Sequence, residues 1–464
     1  MKLAPPRPGL GFAVRRREVR ERLDVNFARM QPTVASLLEQ ARYPMVRLGS
    51  LVSHVQYGTS SRAVVEKIGT PMIRMVNLQD GDWDLTDLKY TTLPEEAQKP
   101  FLLKKGDLCF NRTNGSKDLV GKCAVFIEDD ESYIFASYVI RVRLADQHEY
   151  LPEFLARFLN SSVGRVQVDQ ISRQALMTNI NSEEIRELRV PHPPIGIQEQ
   201  MVKELHGHDL AKQRRLADVA DLLAAGDREI AKSLQVVPAR PGPVGGYAVS
   251  RRDLSSSGRM NVEFFHPERV RIIRSILNSA IPASRLDEMA SFVREQISVP
   301  RADDFYVGLA NVARNTGELR LNMEDEMPEG PCMKFRTGDV LFGKLRPYLN
   351  KVHLAERDGV CSPEFLVLRV KEDVRAEYLA AVLRSEIMLA QTRHMASGNT
   401  HPRLTTSDLH EMMIPRPEAP LQDNIAAIEQ ENRARAREIK HTAVEEWAAA
   451  KARFGDGLVH NPSS

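Results

Sequence analysis

Hydrogen-bonding side chains are concentrated in a few loops, and these are the places where the chain could do chemistry. The loops span 57–62, 77–81, 111–117, 172–179, 294–298, 311–315, 343–346 and 397–403. Their Arg, Lys, Asn, Gln and His side chains are of the types that reach phosphate oxygens and base edges. An alternative interpretation is that such loops are only solvated surface. The candidate contact residues are Arg62, Asn77, Arg112, Asn114, Lys117, Arg173, Gln174, Asn179, Arg294, Gln296, Arg314, Lys344, Arg346, Asn399, His401 and Arg403.

Catalytic motifs are absent from the sequence. There is no Gly-rich cofactor loop, no GxxxxGK[ST] phosphate loop, no Asn-Pro-Pro-aromatic methylase motif and no set of residues at metal-ligand spacing. Cys109, Cys123, Cys332 and Cys361 are scattered, which favours buried thiols in a reducing cytoplasm over disulfides or zinc. The sequence therefore gives no sign of catalytic residues, a metal site or a cofactor site, and the cysteines favour a cytoplasmic protein. A nuclease with a buried site is disfavoured for the same reason.

The formal net charge is +2 over 464 residues. This value argues neither for nor against nucleic acid, because a nucleic-acid footprint is local. No apolar run approaches the roughly 20 residues of a membrane span.

The chain is an imperfect tandem repeat of a unit of about 200 residues. The segments Arg22–Phe27, Lys105–Phe110 and Val190–Met201 recur, in the same order, as Arg259–Phe264, Thr337–Phe342 and Ile414–Ile425. The offset drifts from 285 − 47 = 238 to 422 − 198 = 224, as loop insertions and deletions would produce. Duplication therefore explains why the proline-rich segment before Gln198 recurs before Gln422.

Each copy has the same pattern of elements. A short helix is expected at 33–42, a strand with alternating apolar residues at 134–144, and turns at Gly106-Asp107 and Gly338-Asp339. Each proline-broken segment leads into a long helix, at 196–235 and 422–454. Each long helix has a narrow apolar stripe, which suits packing against one partner helix, and the other copy is the nearest candidate.

In this arrangement the sequence resembles the specificity subunit of type I restriction–modification enzymes. The resemblance rests on R-L-G-x-L at 47–51, the G-D-[LV] turns, and P-x-P-x-x-x-x-Q-[ED] before each long helix. Family members usually have P-P-L-x-E-Q at that position, whereas this chain has looser versions at 196–199 and 420–423. The elements Gly11–Val14 and Gly246–Val249 are additions to the family pattern, and their role is open.

The resemblance implies an α+β fold with two β-rich target-recognition domains in tandem repeat, separated by long helices that form an antiparallel coiled coil. Each domain would read one half of a bipartite, asymmetric site in double-stranded DNA. The helices would dock adenine methyltransferase subunits, with a restriction or translocase subunit as a further candidate partner. S-adenosylmethionine would bind the methyltransferase and not this chain. The alternative is a stand-alone DNA-binding regulator without a methylase partner.

The expected boundaries follow from the repeat. They are an N-terminal helical segment at 1–45, target-recognition domain 1 at 46–195, a central spacer helix at 196–237, a linker with the repeated N-terminal segment at 238–283, target-recognition domain 2 at 284–418, a C-terminal spacer helix at 419–454 and a disordered tail at 455–464.

Overall fold

The chain divides into two units, each with its own sheets and hydrophobic cores. Unit 1 comprises Met1–Arg214 and Ala443–Ser464, and unit 2 comprises Arg215–Thr442. The computed structural model describes residues 25–459 apart from 79–80, 82, 86, 115–116, 130–131, 146–148, 173–177, 239–245, 252–261, 302, 321–326 and 396–401. No helix in the described part of the chain is both long and apolar enough to cross a membrane.

Unit 1 contains short strands and mostly short helices. The strands are β1 (Met45–Arg47), β2 (Val52–Tyr57), β3 (Thr70–Ile73), β4 (Lys89–Thr91), β5 (Leu108–Asn111), β6 (Thr113–Asn114), β7 (Cys123–Val125), β8 (Ile134–Phe135), β9 (Val139–Leu144), β10 (Thr178–Asn179) and β11 (Arg189–Pro191). The helices are α1 (Val25–Glu39), α2 (Glu95–Gln98), α3 (Pro152–Asn160), α4 (Ser162–Ile171), α5 (Ser182–Glu187) and the start of α6 (Ile195–Ser233). Short 3-10 helices lie at Leu48–Ser50, Met75–Asn77, Lys99–Phe101 and Lys117–Leu119.

A sheet that is buried on both faces forms the centre of unit 1. Its strand order is β2-β9-β5-β7, with antiparallel pairing throughout. Along β5, Leu108 and Phe110 belong to the core that includes α3, while Cys109 belongs to a second core on the opposite face. This alternation is the two-residue period of a strand. The smaller sheet β4-β3-β8 contributes Ile73 and Phe135 to the second core.

The sequence pattern at 134–144 predicts one strand, and the structure has two. β8 pairs in parallel with β3, whereas β9 pairs with β2 and β5 in the central sheet. Between them, Ala136 forms an isolated bridge with Thr59, and its N–H donates to the carbonyl of Ile73 at 2.9 Å. The apolar alternation continues through the break because the chain passes from one buried sheet to the other.

Unit 2 repeats this plan. Its strands are β12 (Ala283–Arg285), β13 (Ala290–Val293), β14 (Gln296–Ile297), β15 (Tyr306–Val307), β16 (Cys332–Phe335), β17 (Val340–Gly343), β18 (Val352–Leu354), β19 (Gly359–Cys361), β20 (Phe365–Val370) and β21 (Met413–Pro415). Its helices are the end of α6, α7 (Pro267–Leu277), α8 (Leu286–Met289), α9 (Ala376–Arg384), α10 (Glu386–Thr392), α11 (Thr406–His410) and the start of α12 (Ala419–Val459). Short 3-10 helices lie at Val262–Phe265 and Pro347–Leu349.

The sheets of unit 2 match those of unit 1. The order β13-β20-β17-β18 corresponds to the central sheet, and β14-β16-β19-β15 to the smaller sheet with its parallel pair. The pair β12-β21 corresponds to β1-β11. All four cysteines are buried and free, as the sequence predicts. The predicted tandem α+β class is therefore confirmed.

Within each unit, α6 and α12 lie side by side and antiparallel. In unit 1, His208 is 3.2 Å from Arg453 (Nε2 to Nη2), and the Lys212 ammonium is 4.7 Å from the ring centre of Trp447. In unit 2, a Cβ added to Gly226 would lie 2.6 Å from the amide of Asn432. A glycine in the apolar stripe therefore lets the two helices approach closely at that level.

The ends of the long helices differ from the expected boundaries. The central helix ends at Ser233 and not at 237. The last helix continues to Val459 instead of ending at 454, so residues 455–459 are helical and not part of a disordered tail. Burial explains the extension, because Leu458 and Val459 pack into the core of unit 1.

A buried glutamine fixes the start of each long helix. In unit 1, Gln198 accepts a hydrogen bond from the Leu151 N–H at 2.9 Å and donates to the carbonyls of Glu149 and Pro193, both at 2.9 Å. In unit 2, Gln422 makes the same three bonds, to the Arg375 N–H (2.8 Å) and the carbonyls of Asp373 (3.1 Å) and Pro417 (2.9 Å). All four positions of each set are related by the same offset of 224 (422 − 198). The repeated motif is thus a joint between a long helix and the loop before α3 or α9.

Replacing either glutamine by methionine should destabilise its own unit. Gln198→Met or Gln422→Met leaves three backbone groups without their partner, and each buried unsatisfied group costs about 1–3 kcal/mol. We expect a loss of roughly 3 kcal/mol in urea unfolding, with faster amide exchange in the affected unit. Gln200→Met and Gln430→Met, at exposed positions of the same helices, are the controls and should change little. Equal stability of all four variants would contradict the role of the joint.

A partly buried carboxyl group on α6 opposes the stability of unit 2. Burial, together with the negative charges of Glu386 and Glu429, raises the pKa of Asp227 to about 7, although the backbone N–H of Glu386 acts in the opposite direction. Because the folded state holds the proton more tightly, the contribution of Asp227 to the free energy of unfolding falls as the pH rises from about 4 to about 7.

Asp227→Asn should remove this dependence. An amide can still accept the Glu386 N–H, so we expect the variant to exceed the parent by about 1–3 kcal/mol at pH 8 and to match it near pH 4. The measurement is the free energy of unfolding across this range. Asp221→Asn, at an exposed position of the same helix, should follow the parent at every pH. A gain in the free energy of unfolding that does not change with pH would show that the pKa of Asp227 is not raised in the folded state.

Candidate nucleic-acid interface

In unit 1, two of the predicted polar loops meet as a short ribbon. β6 and β10 pair antiparallel, with Thr113 opposite Asn179 and Asn114 opposite Thr178. The Ile180 N–H donates to the carbonyl of Arg112 at 2.9 Å, which extends the pairing by one residue. Residues 112–114 and 178–180 are called here the unit 1 ribbon. It brings the candidates Arg112, Asn114 and Asn179 together across 65 residues of sequence.

Unit 2 has the same crossing at equivalent positions. Leu345 bridges Arg403 antiparallel, and the Leu404 N–H donates to the carbonyl of Lys344 at 3.1 Å. The Arg346 N–H donates to the carbonyl of Pro402 at 2.7 Å. Residues 344–346 and 402–404 form the unit 2 ribbon, which brings the candidates Lys344, Arg346 and Arg403 together.

The two ribbons present different side chains on the same frame. The Arg112 guanidinium lies 4.8 Å from the ring centre of Tyr57, within the range of a cation–π contact. Such stacking uses the face of the guanidinium and leaves its in-plane N–H donors available to a ligand. The Arg112 N–H donates to the carbonyl of Tyr138, whose side chain is 52% exposed. The unit 1 ribbon thus combines an arginine, two asparagines and exposed aromatic surface.

Beside the unit 2 ribbon, Glu364 occupies the position that Tyr138 has beside the unit 1 ribbon. The Lys344 N–H donates to the carbonyl of Glu364, and the Glu364 carboxylate accepts two bonds from Arg403, at 2.8 and 3.1 Å. A two-point arginine–carboxylate pair fixes the orientation of both side chains. The second ribbon is therefore more basic but partly self-paired.

Backbone strain marks one residue of the unit 2 ribbon. Arg346 has φ 50° and ψ 63°, a left-handed conformation that non-glycine residues seldom adopt. Its Nε atom is buried and has no partner among the described residues. Strained backbone persists where the surroundings over-determine it, and such positions cluster at functional sites. Both features support Arg346 as a contact residue.

One predicted contact residue, Asn77, is part of the scaffold, because Asn311 makes similar hydrogen bonds at the equivalent position of unit 2. Asn77 is 1% exposed, accepts from the Arg74 N–H at 2.9 Å, and donates to the carbonyls of Asp84 and Asp87. Asn311 holds the matching loop of unit 2 by accepting from the Gly308 N–H and donating to the Arg320 carbonyl. Asn77 therefore positions a loop and does not face a ligand, because its polar atoms are bonded to backbone.

Other candidates are not part of the ribbons or lie outside the described structure. Arg62, Arg294, Gln296 and Arg314 are exposed. Arg173, Gln174, Asn399 and His401 lie outside the described residues, and so does the side-chain environment of Lys117.

The matched Gly-Asp turns are structural, as the sequence predicts. Asp107 accepts from the Lys104 N–H and forms two bonds of 2.6 Å with Arg143. Asp339 does the same with Arg336 and Arg369. Each turn fixes the start of the central strand, β5 or β17, from which a ribbon continues.

Tyr57, Tyr138 and Glu364 are not among the predicted contact residues. Tyr57 begins the predicted polar loop 57–62 without being singled out, and Tyr138 belongs to the predicted strand at 134–144. Only the crossing of the chain places them beside the ribbons. A signal was present at Gly58, where a Cβ would lie 2.3 Å from two backbone oxygens, so the chain must pass closely there.

One group of described side chains in unit 2 has the residue types of a metal site. His266, Glu268 and His394 each place a ligand atom within 4.8 Å of the others. The Glu268 carboxylate already accepts from His394 at 2.7 Å and from Arg393, and the Nδ1 of His266 accepts from the Glu268 N–H. These bonds fasten α7 to the residues after α10. That the chain holds no metal stays a prediction.

Comparison with known proteins identifies the first repeat. Residues 45–220 match the family model described as "Type I restriction modification DNA specificity domain". The resemblance drawn from the sequence motifs is confirmed, and the matched segment contains the whole unit 1 ribbon.

Individual relatives align over a shorter part of the sequence. The chain is 25% identical over 158 residues to the type I restriction enzyme EcoKI specificity subunit of Escherichia coli strain K12, which covers 34% of each chain. It is 24% identical over 164 residues to the putative type I restriction enzyme MjaX specificity subunit of Methanocaldococcus jannaschii, which covers 35% of this chain and 38% of the relative. These alignments span about a third of the relatives' own length.

Solved structures align over more of the chain but less closely. The S subunit of a type I restriction–modification system from M. genitalium aligns with 91% of this chain and 97% of its own, at 14% identity and a TM-score of 0.39. A likeness at this level supports no argument, so the correspondence of unit 2 to the specificity domain rests on the internal repeat.

Asn77→Ala should destabilise the specificity domain, because the loop loses three side-chain bonds and leaves buried backbone groups unpaired. We expect a loss of about 2–3 kcal/mol in chemical unfolding. Arg62→Ala, at an exposed position in a neighbouring loop, is the control and should leave stability within about 0.5 kcal/mol. An Asn77→Ala variant with parental stability would return this residue to the set of ligand contacts.

Proposed function

We propose that the chain is a non-catalytic specificity subunit that binds double-stranded DNA. Unit 1 would read one half-site through residues 112–114 and 178–180, and unit 2 the other through residues 344–346 and 402–404. The observation that carries this proposal is the pair of ribbons, which occupy equivalent places in a repeated fold and present different donors. The match of residues 45–220 to a DNA specificity family supports it.

The chemistry of the ribbons suits base recognition. Arginine and lysine donate to the two major-groove acceptors of guanine, and asparagine forms a two-point bond with adenine. Unit 1 offers Arg112, Asn114 and Asn179, whereas unit 2 offers Lys344, Arg346 and Arg403. Because the two sets differ, the proposed site is bipartite and asymmetric.

The long helices are the proposed docking elements for adenine methyltransferase subunits, and a restriction or translocase subunit is a further candidate partner. S-adenosylmethionine would then bind the methyltransferase, and this chain would need no cofactor. The proposed location is the cytoplasm, where such a complex meets DNA. These partners follow from the resemblance of the sequence motifs to the specificity subunits of type I restriction–modification enzymes.

Methylation mapping in cells tests this function. An adenine-methylated motif with two specified parts should disappear when the gene is deleted and return with the parental chain. Arg112→Ala should relax the sequence of one part, and Lys344→Ala that of the other, since a two-point contact contributes about 1–3 kcal/mol of discrimination.

Arg301→Ala in unit 2 and Arg47→Ala in unit 1, at exposed positions outside the ribbons, are controls that should leave the motif intact. DNA binding without any dependent methylation, and without a co-purifying methyltransferase, would favour the stand-alone regulator. A continuous or palindromic motif would contradict reading by two different ribbons.

A further inference from the structure

A loop of unit 2 gathers basic side chains beside the unit 2 ribbon. The loop spans 308–320, and its two ends are held together by Asn311, as described above. The Lys351 ammonium donates to the carbonyl of Leu309, and the Asn315 N–H donates to the carbonyl of Asn350 at 3.1 Å. These bonds place the loop against residues 350–351. We call residues 308–320 the Asn311 loop.

The cations of this region act on one another. Burial lowers the pKa of the Lys351 ammonium, and Arg314 and Arg320 lower it further. Burial also lowers the pKa of Lys440 on α12, and Arg320 adds to this effect while Glu318 opposes it. Like charges held this close repel, and a bound anion would relieve the repulsion.

The carboxylate of the loop is already engaged. Glu318 accepts a hydrogen bond from Arg437 at 2.7 Å, and both are on the unit 2 side of the chain. Its charge is therefore shared between Arg437 and the nearby Lys440. Arg314 and Arg320 are exposed, so an anion from solvent can reach them.

The matching loop of unit 1 has the opposite charge. It uses the same asparagine frame, through Asn77, but its sequence contains Asp80, Asp82, Asp84 and Asp87. Because Asn77 makes the same kind of bonds in a segment whose sequence is acidic, this asparagine frame does not require the cations of the Asn311 loop. A ligand explains their presence in unit 2 better than stability does.

Backbone hydrogen bonds connect the segment that contacts the Asn311 loop to the start of the unit 2 ribbon. The Gly343 N–H donates to the carbonyl of Lys351 at 2.9 Å, and the unit 2 ribbon begins at Lys344. A duplex whose bases contact the ribbon would therefore bring a backbone phosphate close to Lys351.

We propose that Arg314, Arg320, Lys351 and Lys440 form a phosphate-binding site that holds the DNA backbone in unit 2. This inference rests on the proposed DNA-binding function. The site fixes the position of the duplex but reads no sequence, since phosphate contacts are the same for every base pair. The matching segment of unit 1 is acidic in sequence, so this site should add to the salt dependence of binding from unit 2.

The test is the salt dependence of binding to a duplex of arbitrary sequence, about 30 base pairs long. Fluorescence anisotropy with the full chain gives Kd between about 50 and 300 mM salt. Each phosphate contact contributes roughly 0.9 to the slope of log K against log salt concentration. Arg314→Gln with Arg320→Gln should therefore reduce the slope by about 1.8. Exchange to Asp at both positions, which installs the charge of unit 1, should weaken binding further.

Arg301→Gln with Arg336→Gln is the matched control, since it removes two exposed arginines of unit 2 outside the loop. It should leave the slope within about 0.3. If the double variant of the loop does not fold, the single variants carry the test, each with an expected change of about 0.9.

The outcomes separate this inference from the proposed function. A parental chain that binds no duplex at low salt overturns both. A parental chain that binds, together with loop variants of unchanged slope, overturns only the phosphate site. A loop variant that loses affinity for one base sequence and keeps it for others would show that the loop reads bases, which also contradicts the inference.

Discussion

The buried glutamine at the start of each long helix is the interaction on which the architecture depends. A primary amide removed from water needs all its partners, because an unsatisfied polar group in the interior costs several times the net gain of a normal hydrogen bond. Gln198 and Gln422 meet this requirement by bonding three backbone groups from two separate segments. The direction of each helix relative to the sheet of its own unit is fixed in this way. The packing of α6 and α12 in each unit, and the burial of Leu205 or Ile425, depend on that direction.

Comparison of the two copies separates scaffold from surface. Residues that make the same bonds in both units form the scaffold, and they include the two glutamines, Asn77 with Asn311, and Asp107 with Asp339. Positions that differ lie on or beside the ribbons, where Asn114 corresponds to Arg346, which alone of the two has a left-handed backbone, and Tyr138 corresponds to Glu364. A duplicated fold that kept its frame and changed these side chains is what recognition of two different half-sites would require.

The charge distribution agrees with this division. A net charge of +2 gives the chain no long-range attraction to DNA, so affinity would come from local groups. The Asn311 loop is basic, whereas the matching segment of unit 1 contains aspartates in its sequence. The Arg346 backbone strain and the Asp227 charge repulsion are costs that the stability of unit 2 must offset, and only the first lies at the candidate interface.

The sequence alone determined the repeat, the order of elements, the two long helices and the kind of family. These features could be predicted because they depend on the periodicity of apolar residues and on the order of motifs, and both are visible in the sequence. It also predicted the turns at Gly106-Asp107 and Gly338-Asp339, since a turn involves only neighbouring residues. The domain boundaries stay predictions, although the last helix is longer than its polar tail suggested.

Only the tertiary structure decided which polar residues face outward and which meet. Asn77 and Asn114 are the same residue type in similar loops, yet one is buried in a backbone network and the other lies on a ribbon. That difference depends on hydrogen bonds to segments 7 to 65 residues away, which no local pattern records. The break between β8 and β9 has the same cause, because both strands are buried and alternate in the sequence, and only their partners distinguish them.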